Sequence, residues 1–222
     1  MERWVLLRKG ADFEAIGKKY QISPRLACLI RNRDVIGEEA VDRYLNGTIS
    51  DLYDGMLMKD MDKAIDILKE KILEDKKIRV IGDYDIDGVN ATYILLEGLE
   101  RLGADVDSDI PDRISDGYGL NRHLVERAYE AGVDTLITCD NGIAAADEIA
   151  YGKEMGMTVI VTDHHEVPFD EQDGEKRYRI PPADAVMDPK QPDCLYPFKG
   201  LCGAAVAYKL MEALWESMGK DS

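Results

Sequence analysis

Residues 78–90 read Ile-Arg-Val-Ile-Gly-Asp-Tyr-Asp-Ile-Asp-Gly-Val-Asn. A β-branched apolar run ends at Gly82, and carboxylates follow at alternate positions: Asp83, Asp85 and Asp87. Gly88 then opens a helical pattern over 89–102. A strand, an acidic turn and a helix start form the first half of a βαβ unit. That commits the chain to a parallel sheet, with its ligand crevice at the carboxyl ends of the strands. Like charges this close raise one another's pKa unless something positive compensates. A helix N-terminus compensates modestly, whereas a divalent cation does so fully and takes carboxylate oxygens as ligands. Taken alone, the cluster reads rather as a helix cap with two solvated neighbours.

The pattern recurs downstream. A strand over 134–139 ends at Asp140-Asn141-Gly142, and one over 157–162 ends at Asp163-His164-His165-Glu166. Helical patterns at 144–155 and 204–218 and short strands at 106–110 and 185–187 complete an alternating β/α order. Right-handed crossovers place all these strand ends on one sheet edge. The recurrence, with two adjacent histidines at one of these strand ends, favours a metal site. The loop before the helix at 122–131 holds Gly117-Tyr118-Gly119-Leu120-Asn121, with Arg113 as the nearby cation. Glycines there bring backbone N–H groups toward an anion, although such a sequence is also an ordinary turn. Residues 166–183 read as a long, solvated, mobile loop carrying Lys176, Arg177 and Arg179.

Residues 1–55 form a separate helical segment, with helices expected over 11–20, from Pro24 to about Arg31, and over 38–45. An amphipathic helix at 59–74 leads into the central strand. The expected division is therefore 1–55 and 56–222. The net charge of −16 argues against loose binding to nucleic acid, without excluding a locally basic groove. Cys28, Cys139, Cys194 and Cys202 make no Cys-x-x-Cys pair, no apolar run reaches membrane-spanning length, and Met1-Glu2-Arg3-Trp4 does not read as a signal peptide. The expectation is a cytoplasmic protein with no membrane partner.

The ordered set of motifs resembles the DHH phosphoesterase superfamily, named for the triplet present here as Asp163-His164-His165, and within it the RecJ-type single-strand-specific exonucleases. The resemblance starts at Arg3-Trp4-Val5 and runs through 82–89, Ile110-Pro111-Asp112-Arg113, 117–121, 140–143, 161–168 and 201–210. It departs at Asn90-Ala91, where the family usually carries Thr-Ser. The resemblance implies a Rossmann-like α/β fold with five parallel strands, helices on both faces, and two divalent metals, manganese or magnesium. By motif, Asp85 and Asp87 each match a ligand of a different metal, Asp140 the bridging carboxylate, and His164 a further ligand. His165, Arg113, Gly117, Gly119 and Asn121 match substrate-phosphate contacts, with Asp83 and Asp163 in support. The implied partners are single-stranded DNA and a single-strand-binding protein or helicase, in DNA repair and recombination. The resemblance also implies a fourth motif and a closing domain beyond residue 210, so residues 1–222 are expected to hold at most one metal tightly and to cleave slowly. Three functions compete: trimming of single-stranded DNA, hydrolysis of a small nucleotide or pyrophosphate, and a non-catalytic interaction module.

Overall fold

A computed structural model describes residues 9–114, 117, 119–172 and 174–220. Of the positions named above, Met1, Glu2, Arg3, Trp4, Val5 and Tyr118 lie outside the described residues. The chain divides into two compact units, Met1–Leu52 and Tyr53–Ser222.

The first unit holds α1 (Phe13–Tyr20), α2 (Pro24–Asn32) and α3 (Glu38–Asn46). Asp12 caps α1 by accepting from the Ala15 amide at 2.9 Å. Ser23 caps α2 by accepting from the Leu26 amide at 3.2 Å, with Pro24 at the first helical position.

The second unit is α/β. It contains α4 (Met61–Leu73), β1 (Ile78–Ile81), α5 (Ile86–Arg101), β2 (Val106–Asp109), α6 (Arg122–Glu130), β3 (Thr135–Cys139), α7 (Ala146–Glu154), β4 (Thr158–Thr162), β5 (Phe169–Gln172), β6 (Glu175–Tyr178), β7 (Ala185–Met187) and α8 (Gly203–Ser217). Five strands form one sheet in the order β2-β1-β3-β4-β7, and every pairing is parallel. This is the five-stranded parallel fold expected from the sequence.

A parallel sheet is buried on both faces, which is why its central strands are apolar almost throughout. Alternation sends neighbouring side chains to opposite sides. Ile137 and Cys139 join a core with Leu95 and Leu99 of α5 and with Leu210 and Leu214 of α8. Leu136, Val159 and Val161 join a second core with Leu124 of α6 and Ile149 of α7. Helices α4, α5 and α8 therefore cover one face, and α6 and α7 the other. Among the described residues, no helix is long and apolar enough to cross a membrane.

Two local expectations change. Helix α5 begins at Ile86, not after Gly88, because Asp85 is its N-cap: the carboxylate accepts from the Asp87 amide at 2.8 Å and the Gly88 amide at 2.9 Å. Asp87 and Gly88 thus lie in the first helical turn. The segment at 166–183 is not a structureless loop but carries an exposed antiparallel ribbon of β5 and β6. Its polar composition hid a cross-strand pair, Phe169 on Tyr178 at 5.8 Å between ring centroids, with the Lys176 ammonium 4.0 Å above the Phe169 ring.

Leu99 is fully buried between α5 and the sheet. Leu99→Ala should lower the unfolding free energy by about 2–5 kcal/mol, read as a lower midpoint in urea denaturation with an unchanged slope.

Candidate metal centre

The sheet register sets the site. Thr138 pairs with Ile81, Cys139 with Thr162, and Thr162 with Met187. One residue further along lie Asp140, Asp163 and Asp188, and extending the register places Asp83 beside Asp140. The ladder continues into this row: the Asp140 amide donates to the Thr162 carbonyl and the Asp163 amide to the Met187 carbonyl, both at 3.0 Å. All four aspartates are buried. Buried like charges must be neutralised, hydrogen-bonded or matched by a cation, and the four are treated differently.

Asp163 is compensated by the chain itself. Its Oδ2 accepts from the Ile143 amide at 2.9 Å. Its Oδ1 accepts from the amides of His164 at 2.7 Å and His165 at 3.2 Å, and lies 2.7 Å from His165 Nδ1. Burial pushes its carboxyl up, but these partners together hold it below the usual range. Asp163 is thus the post on which the histidine turn is built, and it raises the pKa of His165 by the shared hydrogen bond.

Asp140 sits at φ 59°, and burial followed by the charges of Asp87 and Asp85 pushes its carboxyl up to about 8. His164 Nε2 is 2.9 Å from Asp140 Oδ1 and 3.4 Å from Asp87 Oδ2. Asp83 has less support: among the described residues, neither of its buried oxygens has a hydrogen-bond partner. Asp188 accepts from the Lys190 amide through Oδ1, yet among the described residues its Oδ2 has no partner, and burial pushes the carboxyl up to about 7.

Asp87 is held from the opposite side. Its two oxygens accept from the Gly203 and Ala204 amides at 2.7 and 2.8 Å, at the N-terminus of α8. Burial pushes its carboxyl up, but these amides outweigh it and keep the group ionised below the usual range. Gly203 is required for the approach, since a Cβ there would lie 2.7 Å from Asp140 Cβ. This contact gives the start of the 201–210 motif a role: its first helical amides hold Asp87.

Two sets of donors among the described residues each lie within 4.8 Å of one another: Asp83, Asp85 and Asp140, and Asp140, His164 and His165. Asp140 belongs to both. The donors are carboxylate oxygens and imidazole nitrogens, with no thiolate, which suits a hard divalent ion such as manganese or magnesium. The orphaned oxygens of Asp83 and the elevated Asp140 carboxyl are what a bound cation would relieve, so the residues present fit the ion pair that the sequence implies. His164 and His165 both follow the last residue of β4, and Asp163 holds His165 through its Nδ1.

The anion-loop residues divide. Gly119, at φ 70°, is placed so that a Cβ there would meet Asn141 Cβ at 3.4 Å, and it lines a cavity of about 190 Å³ with Gly142, Asp163 and His165. Gly117 is also left-handed, at φ 81°, but among the described residues no atom lies near its Cβ position. Asn121 uses its side-chain oxygen to cap α6, accepting from the Leu124 amide at 3.0 Å. The Arg113 guanidinium stacks over Tyr84 at 5.4 Å.

The raised Asp140 pKa has a direct thermodynamic consequence. The folded protein keeps a proton that the unfolded chain releases near 3.8, so in metal-free protein stability falls as pH rises from about 4 to 8. The lowered groups Asp87 and Asp163 act in the acidic window instead, where stability is lost as pH falls through their folded values. Asp140→Asn should make the decline between about pH 5 and 8 in chelator-treated protein shallower, leaving the share that comes from Asp188 and His165, whose folded pKa values are also raised, as measured by urea denaturation across that range. An equally steep decline would place the raised carboxyl elsewhere.

The sequence matches the DHH family, N-terminal domain, over residues 77–221. It is 40% identical over 213 residues, 96% of this chain, to the single-stranded-DNA-specific exonuclease RecJ of Bacillus subtilis (strain 168), and 32% identical over 215 residues, 96% of this chain, to that of Escherichia coli (strain K12). The chain spans 26% and 35% of the length of those two relatives. An exonuclease RecJ bound to manganese superposes with a TM-score of 0.63 at 38% identity, over 73% of this chain and 39% of that one. RecJ from Thermus thermophilus in complex with Mn2+ gives 0.63 at 30% identity, over 98% of this chain and 29% of that one. With the motif order, the parallel sheet and the strand-end cluster already in place, these matches make this chain a member of the DHH family.

Proposed function

We propose that this chain is the metal-binding part of a single-stranded-DNA-specific exonuclease that hydrolyses phosphodiesters with two divalent ions, manganese or magnesium. The observation that carries the reading is Asp140, the residue common to both donor sets, on the strand between those that deliver Asp83 and Asp163. In this reading Asp140 is the shared ligand. Asp85 and Asp87 serve different ions, and His164 completes the side nearest Asp87. Asp83 supports the first set with its two buried oxygens. Bound divalent ions would supply a lowered pKa for an attacking water and charge neutralisation on the in-line transition state.

The remaining chemistry belongs to the chain. Asp163 fixes the imidazole of His165 through Nδ1, with Nε2 as the donor to a substrate phosphate oxygen. Gly119 lets the backbone line the cavity beside His165, where a phosphate has room to approach. Arg113 is a second phosphate contact, pre-oriented by the Tyr84 ring. The buried walls around Asp140 and Asp163 keep bulk water from the carboxylates. Asn121 supports the loop by capping α6. The expected partners are single-stranded DNA and a single-strand-binding protein or helicase. The RecJ relatives named above carry single-stranded-DNA specificity in their names, which supports the substrate class.

Calorimetric titration with manganese should show binding to this chain that is lost or severely weakened in Asp140→Ala and reduced in Asp85→Ala. Turnover of an end-labelled single strand should fall with it, by on the order of a hundredfold or more for Asp140→Ala. Parallel assays on a dinucleotide and on pyrophosphate separate the exonuclease from a small-molecule phosphatase, and unchanged manganese binding in both variants would sink the metal assignment.

Gly119→Val puts a β-branched side chain at a left-handed position facing Asn141. Binding of a single strand should weaken while the circular dichroism spectrum stays native. Unchanged affinity would make the loop a plain turn.

A further inference from the structure

Strand β7 runs directly into a turn at Asp188–Gln191 that backs the histidine turn. Asp188 Oδ1 accepts from the Lys190 amide at 2.7 Å, and the Gln191 amide donates to the Asp188 carbonyl at 3.2 Å. The Gln191 side chain, itself buried, donates from Nε2 to the Val186 carbonyl at 2.7 Å. The backbone at Lys190 is therefore fixed by a buried carboxylate before it and a buried amide after it. Its side chain remains partly exposed. Lys190 Nζ lies 3.0 Å from Oε1 of Glu166, the residue immediately after His165. Glu166 is 87% exposed, and an ion pair with so solvated a member contributes little, so another anion can replace it at low cost.

The setting makes a cation here unusual. Asp83, Asp140, Asp163 and Asp188 occupy the same sheet edge, and Asp85 and Asp87 stand above it. Arg127 on α6 is already paired with Asp109. Lys190 reaches the histidine turn through Glu166, the residue after His165, and the two turns adjoin where the Asp163 amide donates to the Met187 carbonyl at 3.0 Å. A polyanionic strand approaching an acidic protein of net charge −16 needs such local cations at the reacting edge.

We propose that Lys190 is a substrate-binding residue: its ammonium takes a phosphate of the single strand next to the one that His165 contacts, and Glu166 occupies that ammonium until the phosphate displaces it. This rests on the reading of the site as one that binds single-stranded DNA. Lysine suits the task because a compact ammonium tolerates a variable phosphate direction. Glu166 makes the contact selective for ligands whose charge outcompetes a carboxylate.

The test is fluorescence anisotropy with a short 3′-labelled oligothymidylate and manganese, on this chain and on Lys190→Ala, Lys190→Arg and Glu166→Gln, with strand cleavage followed in parallel. Lys190→Ala should raise Kd about tenfold and make the dependence of log Kd on log salt shallower by about 0.7, the value for one phosphate contact to a single strand. Lys190→Arg should restore most of the affinity. Glu166→Gln, at an exposed position that does not threaten folding, should tighten binding. Unchanged Kd and salt slope in Lys190→Ala, with Glu166→Gln neutral, would reduce the pair to a surface ion pair and overturn the proposal while leaving the exonuclease reading intact. Failure of the unsubstituted chain to bind any single strand would overturn both.

Discussion

The structure depends on the repulsion among buried carboxylates at one edge of a parallel sheet. Parallel pairing with no offset brings Asp83, Asp140, Asp163 and Asp188 into one buried row, and burial pushes the carboxyls of Asp140 and Asp188 up. A sheet can hold such a row only if each member has its own means of compensation. The chain provides amides and an imidazole for Asp163, and a turn amide for one oxygen of Asp188. Asp83 and Asp140 gain most from an external positive charge. Metal affinity and metal-free instability are two expressions of the same repulsion.

The helices meet this edge with their N-termini, and that geometry assigns the carboxylates outside the row. Asp85 uses one oxygen to cap α5, which leaves its second oxygen available to the cluster. Asp87, two residues on, turns across to the first amides of α8. A residue with a side chain in place of Gly203 would push α8 off Asp140 and break that contact. The core formed where α5 and α8 pack together on the sheet is thereby coupled to the site: the helix packing that stabilises the unit also fixes the distance between Asp87 and Asp140.

The histidine turn is built in a related way. Asp163 is taken up by the chain's own donors, and in return it orients both histidine amides and one imidazole. The neighbouring Asp188–Gln191 turn likewise uses a buried aspartate to fix the backbone from which Lys190 reaches Glu166. Acidic residues here serve in two ways, offering oxygens to the site and accepting amides to shape it, and burial alone does not distinguish them.

The sequence by itself determined the parallel α/β class, the sheet's strands and the concentration of Asp85, Asp87, Asp140, His164 and His165 at strand ends, because apolar periodicity and strand-to-helix turns are local signals. It also carried the DHH family motifs in order. The start of α5 was not legible, since an aspartate that caps a helix and one that ligates a metal look alike in a string of letters. Neither was the β5–β6 ribbon, whose aromatic pair is hidden within a polar stretch. Only the tertiary structure decided that Asp188 joins the row, that Asp87 is anchored on α8 rather than solvated, and that Lys190 stands beside the histidine turn. Those facts depend on register and helix packing between residues as far apart as 87 and 203, and contacts of that range arise from how the elements pack rather than from any one of them.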